Sequence, residues 1–295
     1  NNTDSIYSQL VPLEYPKVGE KPSACRVGVV SLSDNKTKWM NVPGDASQNY
    51  LVRMEFIPST NKLLIQQLNR KQNKSTLYIA DALEGTTNSM YSESDEAWVD
   101  LFNIGNSRAI DYTNNFSFLK KNNSILWASE KDGYKHLYLH KNNGELVRQI
   151  TKGNWVVDKI EAIDQKHELV YFTGRADTPT QRHLYKVGLA GGPVTKITQR
   201  SGFHDISFSD DASVYVDSFS TTNTPQQVSL HRADGKQLTW LSENAVAENH
   251  PLMPYQASWV KPTISSFSLE DGTELYYRLY KPHNIQGKHP VIVYQ

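Results

Sequence analysis

Short runs of alternating apolar and polar residues, each bounded by a turn signal, cover most of this chain. Residues 130–155, EKDGYKHLYLHKNNGELVRQITKGNW, show the grammar most clearly. His136-Leu137-Tyr138-Leu139-His140 has the period of two expected of a strand, with the leucines on one face. Asp132-Gly133 and Asn143-Gly144 are turn pairs, because glycine accepts the positive φ of a tight hairpin. Leu146, Val147 and Ile150 open a further strand, and two apolar runs precede the segment around Lys121-Asn122-Asn123: Phe116 with Phe118, then Ile125-Leu126-Trp127. The reading is four antiparallel strands in about 40 residues, with no helix between them.

The same grammar recurs. A Leu-Tyr landmark falls at Leu77-Tyr78, Leu137-Tyr138 and Leu184-Tyr185, with Val228-Ser229 as a degraded copy, at steps of 60, 47 and 44 residues. An insertion between about Ser89 and Thr113 accounts for the long first step. Each landmark follows an apolar pair, a polar turn and an apolar triplet, as in Ile206, Phe208 and Val214-Tyr215-Val216. After it come a turn, such as Gly191-Gly192 or Asp234-Gly235, and a fourth strand such as Val194–Ile197. Four strands per period of about 40–50 residues predict an all-β chain of the β-propeller class, with about five blades counting a partial first. A β-sandwich also has short strands and turns but needs no regular period.

Outside the clearest copies, Pro12, Pro16 and Pro22 make residues 1–24 irregular, and Val27–Leu32 reads as a strand. Met54–Phe56, Leu63–Ile65 and Leu77–Ile79 are the strands of the first full blade. From Thr263 the pattern changes. Thr263–Leu269 and Leu275–Tyr280 form a hairpin about Asp271-Gly272, and Pro290–Tyr294 reads as the fully apolar strand of a sheet covered on both faces. The propeller is therefore expected over residues 1–260 and the first strands of an α/β domain over 261–295.

Composition narrows the partners. Formal net charge is zero, from 31 basic and 31 acidic residues, so nothing favours nucleic acid or an acidic membrane. No apolar run approaches the length of a membrane span. Cys25 is alone, which gives no intrachain disulfide or thiolate metal site and suits the cytosol or a Gram-negative periplasm. The start at Asn1, without a signal peptide, and the end inside an apolar run lead us to expect part of a longer protein.

An ordered series of motifs carries a resemblance. It runs through Tyr15-Pro16-Lys17-Val18-Gly19, Met54-Glu55-Phe56, Leu68–Asn73, Ala97-Trp98-Val99-Asp100, residues 130–138 and Ile150–Trp155. Arg182–Tyr185, Gly202-Phe203-His204 and Pro290–Tyr294 complete it. Over nearly its whole length the chain resembles the later blades of the dipeptidyl peptidase IV family, of the prolyl oligopeptidase group of serine peptidases. The resemblance implies an eight-bladed ring, an α/β-hydrolase domain starting in 261–295, and a periplasmic or secreted setting. It implies removal of X-Pro or X-Ala dipeptides from peptides with a free N-terminus, without a cofactor, by a protein that forms homodimers. The propeller would gate and anchor the substrate. A Gly-x-Ser-x-Gly elbow appears nowhere in these residues. The resemblance places the family's oxyanion tyrosine just past the last apolar strand and its paired glutamates upstream. The isolated chain is thus expected to be inactive, with no catalytic residue of its own.

By offset, the family's pocket aromatic falls on Phe102, with Trp98 and Asp100 beside it; the alternative is that these residues pack the insertion. Asn103 follows where mammalian members carry an arginine, so an arginine contact from this loop is not expected. Arg70–Asn73 reads as a turn. His136 and His140 share a strand face with Tyr138, and no third metal ligand is announced. His183 and His204 are expected to make structural hydrogen bonds, and Asp210-Asp211 to be turn residues. A non-enzymatic scaffold propeller for protein–protein contacts is the competing function.

Overall fold

A computed structural model describes residues 6–100, 116–119, 123–283 and 286–294. Its residues fall into two compact units, Asn1–Leu101 with Asn142–Glu145, and Phe102–Lys141 with Leu146–Gln295. The first holds a hairpin, β1 (Gly28–Val30) and β2 (Thr37–Trp39), and a four-stranded sheet of β3 (Asn49–Phe56), β4 (Lys62–Asn69), β5 (Lys74–Asp81) and β6 (Thr87–Ser94). In the second, one sheet comprises β7 (Phe116–Leu119), β8 (Ser124–Ser129), β9 (His136–Lys141) and β10 (Leu146–Gln149). Another comprises β11 (Val157–Asp164), β12 (Leu169–Gly174), β13 (His183–Gly188) and β14 (Thr195–Lys196). A third comprises β15 (Phe203–Phe208), β16 (Val214–Ser220), β17 (Gln227–Arg232) and β18 (Gln237–Ser242). A 3-10 helix, Met253–Ser258, and a hairpin of β19 (Thr263–Ser268) and β20 (Glu274–Leu279) follow. Every four-stranded sheet is an antiparallel meander in chain order, as the repeat predicted.

The middle sheet of the second unit explains why these meanders stack. Val170, Phe172, Tyr185 and Val187 pack with Leu126, Leu137, Leu139 and Ile150 of the preceding sheet. From the opposite face Tyr171 and Leu184 pack with Ile206, Ala212 and Tyr215 of the following one. Alternation along β12 divides its residues between the two cores, so this sheet is buried on both faces. A two-layer sandwich buries one face per sheet. The stacking is that of consecutive blades.

Two sheets end on the same clasp. Ile150 N donates to Leu137 O at 2.7 Å, and Leu137 N donates to the Thr151 hydroxyl at 2.9 Å. Ile197 N likewise donates to Leu184 O at 2.8 Å, and Leu184 N to the Thr198 hydroxyl at 3.0 Å. The outer strands β10 and β14 are too short to pair with the start of the third strand, so a side chain takes over the ladder there. In the last sheet β18 reaches far enough for Ser242 to oppose Val228, and no such hydroxyl is used.

Four expectations need correction. The Val27–Leu32 strand stops at Val30, because Ser31 N bonds Lys36 O and starts the hairpin turn. Residues 89–94 belong to β6 and not to an insertion; TNSMYSES is an outer strand too polar to announce itself by alternation. The fourth strand at 194–197 is only Thr195–Lys196. Finally, Val291–Tyr294 are exposed and form no strand, since no described strand lies alongside to pair with them. Thr198→Val should lower stability by about 1–3 kcal/mol in urea unfolding, because it leaves the buried Leu184 amide without an acceptor.

Candidate functional site

Trp98 stands where a turn and a strap meet. Asn69 Oδ1 accepts from Asn73 N and Lys74 N at 3.0 Å each, which closes the β4–β5 turn, and Gln72 takes a positive φ of 58°. Arg70 lays its guanidinium over the Tyr50 ring at 5.4 Å, so 70–73 is the structural turn expected. The strap then runs back along it: Asp95 N donates to Asn73 O at 3.0 Å and Val99 N to Gln72 O at 2.9 Å. Asp95 Oδ1 accepts from Ala97 N at 2.8 Å and Trp98 N at 3.2 Å. A fixed backbone thus presents an indole that is 63% exposed. Such a ring can offer apolar surface and a π face to an ammonium group. Phe102 lies outside the described residues. The alternative role, packing of the insertion, concerns residues 101–115, which also lie outside the described residues.

The histidines are built into the sheets. His136 Nε2 lies 2.8 Å from Gly153 O, so it donates, and Nδ1 accepts from the Thr151 hydroxyl at 3.1 Å. Trp155 meets this ring edge-on at 4.9 Å. His183 repeats the arrangement with Thr198 at 3.0 Å and Gln181 Oε1 at 2.9 Å. Both rings are neutral by these partners, and burial lowers the pKa of each, that of His183 to about 4. His204, 5.1 Å from His183 by ring centroid, differs. Its Nε2 lies 2.8 Å from Arg200 O and its Nδ1 2.7 Å from Asp217 Oδ2. His136 and His140 do share a buried face. With both its ring nitrogens engaged, His136 has no lone pair free for a metal. Among the described residues no group of three His, Cys, Asp or Glu is arranged to hold a metal ion.

Asp211 is a turn residue as expected. Its Oδ1 accepts from the Ser209 hydroxyl at 2.6 Å and from Ser213 N and hydroxyl at 3.1 and 2.8 Å, which lowers its pKa to about 2. Sequence reasoning missed Glu161. This β11 carboxylate is held by Lys159 Nζ at 3.1 Å and the Thr173 hydroxyl at 2.8 Å, and burial pushes its pKa up. No motif marks it; only the strand register brings Thr173 and Lys159 to it.

The sequence pattern of the dipeptidyl peptidase IV (DPP IV) N-terminal region matches residues 1–226. This chain belongs to that family. A probable dipeptidyl peptidase 4 of Emericella nidulans is 26% identical over 272 residues, covering 90% of this chain and 34% of the relative. A probable dipeptidyl-aminopeptidase B of Penicillium rubens is 27% identical over 301 residues, covering 98% and 32%. The crystal structure of Porphyromonas gingivalis dipeptidyl peptidase 4 superimposes with a TM-score of 0.79 at 28% identity, covering 97% of this chain and 38% of that one. The chain therefore spans about a third of the length of the curated relatives it matches. Its meanders are blades of a partial β-propeller, as the repeat and the resemblance predicted.

Two measurements follow. Trp98→Ala should change unfolding free energy by less than about 0.5 kcal/mol, as for other exposed side chains, whereas a packing role would give a larger loss. The unfolded chain protonates His183 below about 6.5 and the folded chain only near 4, so this group takes stability away as pH falls through that window and is silent above it. His183→Gln, which borrows the residue at the corresponding position Gln227, should flatten the stability curve between about pH 6.5 and 4; an unchanged slope would contradict the neutral buried ring.

Proposed function

We propose that this chain is the substrate-gating propeller portion of a serine exopeptidase that removes X-Pro or X-Ala dipeptides from peptides with a free N-terminus. The observation that carries the reading is the family match over residues 1–226, joined to a structural likeness that covers 97% of the chain. In this reading residues 1–260 are propeller and 261–295 open the hydrolase domain, with which the blades cooperate. The whole protein works as a periplasmic or secreted homodimer and needs no cofactor. No described helix is long and apolar enough to cross a membrane.

The chemistry asked of these blades is positioning. Trp98, whose backbone is held by the Asp95 and Gln72 hydrogen bonds, and Phe102, four residues on, line the pocket beside the substrate ammonium. An aromatic face attracts that cation while excluding water from it, which orients the peptide without taking part in bond breaking. Acyl transfer needs a nucleophile, and the Gly-x-Ser-x-Gly elbow that supplies one in such hydrolases is not among these 295 residues. The isolated chain is inactive on this account.

The test is release of p-nitroaniline from glycyl-prolyl-p-nitroanilide. The whole protein should release it and the 295-residue chain alone should not. In the whole protein Phe102→Ala should raise KM roughly three- to thirtyfold with a smaller change in kcat, the range of a cation–π contact. No release by the whole protein would leave the scaffold reading in its place.

A further inference from the structure

An open cavity of about 780 Å³ lies in the second unit, where turns of the sheet β11–β14 meet turns of the sheet β15–β18. Its walls carry polar groups that the fold does not use. On one wall Tyr171 of β12 stands directly opposite Lys186 of β13 in the antiparallel register, so the two side chains leave the same sheet face as neighbours. Tyr171 is only 4% exposed, and its hydroxyl, which reaches the cavity, has no hydrogen-bond partner among the described residues. Burial and the nearby Asp164 and Asp234 carboxylates raise its pKa, which keeps it a proton donor. Lys186 likewise makes no ion pair among the described residues. Two donors that the fold leaves without a protein acceptor, side by side on one wall, are free to bind a ligand.

The opposite wall supplies the complement. Asp211 is committed to Ser209 and Ser213, Asp234 to Arg232 and Lys236 N, and Asp164 to His167. Asp210, next to them on the β15–β16 turn, also lines the cavity and has no such donor among the described residues. Two unused donors therefore face the cavity from one sheet and one unused carboxylate faces it from the other. A wholly anionic ligand would meet four carboxylates on the lining, and a wholly cationic one Lys166, Lys186 and Arg232. We propose that the cavity binds a small zwitterion, a free amino acid or dipeptide. Its carboxylate takes the Tyr171 hydroxyl and the Lys186 ammonium, and its own ammonium faces Asp210.

Calorimetric titration of the whole protein tests this with three probes: glycyl-alanine, N-acetylglycyl-alanine and glycyl-alanine amide. The unblocked dipeptide should bind, and blocking either end should weaken it about tenfold, as should Tyr171→Phe or Lys186→Met. Tyr215→Phe removes a buried, unpartnered hydroxyl of the same core that does not line the cavity, and it should leave affinity unchanged. Phe102→Ala should also leave this binding intact while shifting the peptidase KM, so the two readings fail separately. Equal binding of all three probes, no heat at millimolar probe, or affinity indifferent to both Tyr171→Phe and Lys186→Met would overturn the proposal.

Discussion

A hydroxyl group at the end of a short outer strand is the constraint on which these blades turn. In β10 and β14 the outer strand stops before it can pair with the start of the third strand, and Leu137 and Leu184 are left with buried amides. Thr151 and Thr198 supply the acceptor, and the isoleucine before each donates back to the same leucine. The second bond of each hydroxyl goes to the ring of His136 or His183, which is thereby fixed as a neutral tautomer. One threonine so determines strand ending, ring orientation and protonation together. Where the outer strand is longer, the arrangement changes: Gln227 replaces the histidine and bonds Glu243 O.

Stacking follows from that closure. With its third strand closed, the middle sheet can bury Phe172 and Tyr185 on one side and Tyr171 and Leu184 on the other. Aromatic rings fill both layers, with Trp155, Phe172 and Tyr185 grouped on the first face and Tyr171, Phe208 and Tyr215 on the second. Between the sheets the His204–Asp217 pair is buried, and Arg200 lies over Phe219 at 3.8 Å. His183 and His204 find hydrogen-bond partners in this layer, whereas the Tyr215 hydroxyl and Asp217 Oδ1 find none among the described residues.

The repeat was legible because two blades reuse one pattern, His-Leu-Tyr followed by Ile-Thr with a glycine turn between, and a third keeps its Leu77-Tyr78 pair. Turn pairs read correctly for a simple reason; Gly133, Gly144, Gly235 and Gly272 all take the positive φ that identified them. The outer strands were harder. Thr87–Ser94 faces solvent along much of its length and is polar on both faces, which hides its period, and β14 is two residues long. Pro290–Tyr294 looked like a buried strand from composition alone, yet a strand exists only with a neighbour to pair with. At the candidate site, the sequence put Trp98 on an insertion and gave no sign that its segment runs back along the β4–β5 turn or that its ring is exposed. Partnerships made by register, such as Tyr171 with Lys186 or Glu161 with Thr173, carry no local signal at all.

Membership of the dipeptidyl peptidase IV N-terminal family gives these blades a context, and the geometry says how they hold their shape within it. Amide hydrogen exchange at Leu137 and Leu184 tests the clasp most directly. Both amides should be protected to the level of their ladder neighbours in β9 and β13, and Thr151→Val should release Leu137 alone while Leu184 stays protected. Exchange at either leucine in the unaltered protein as fast as at exposed turn amides would contradict the account.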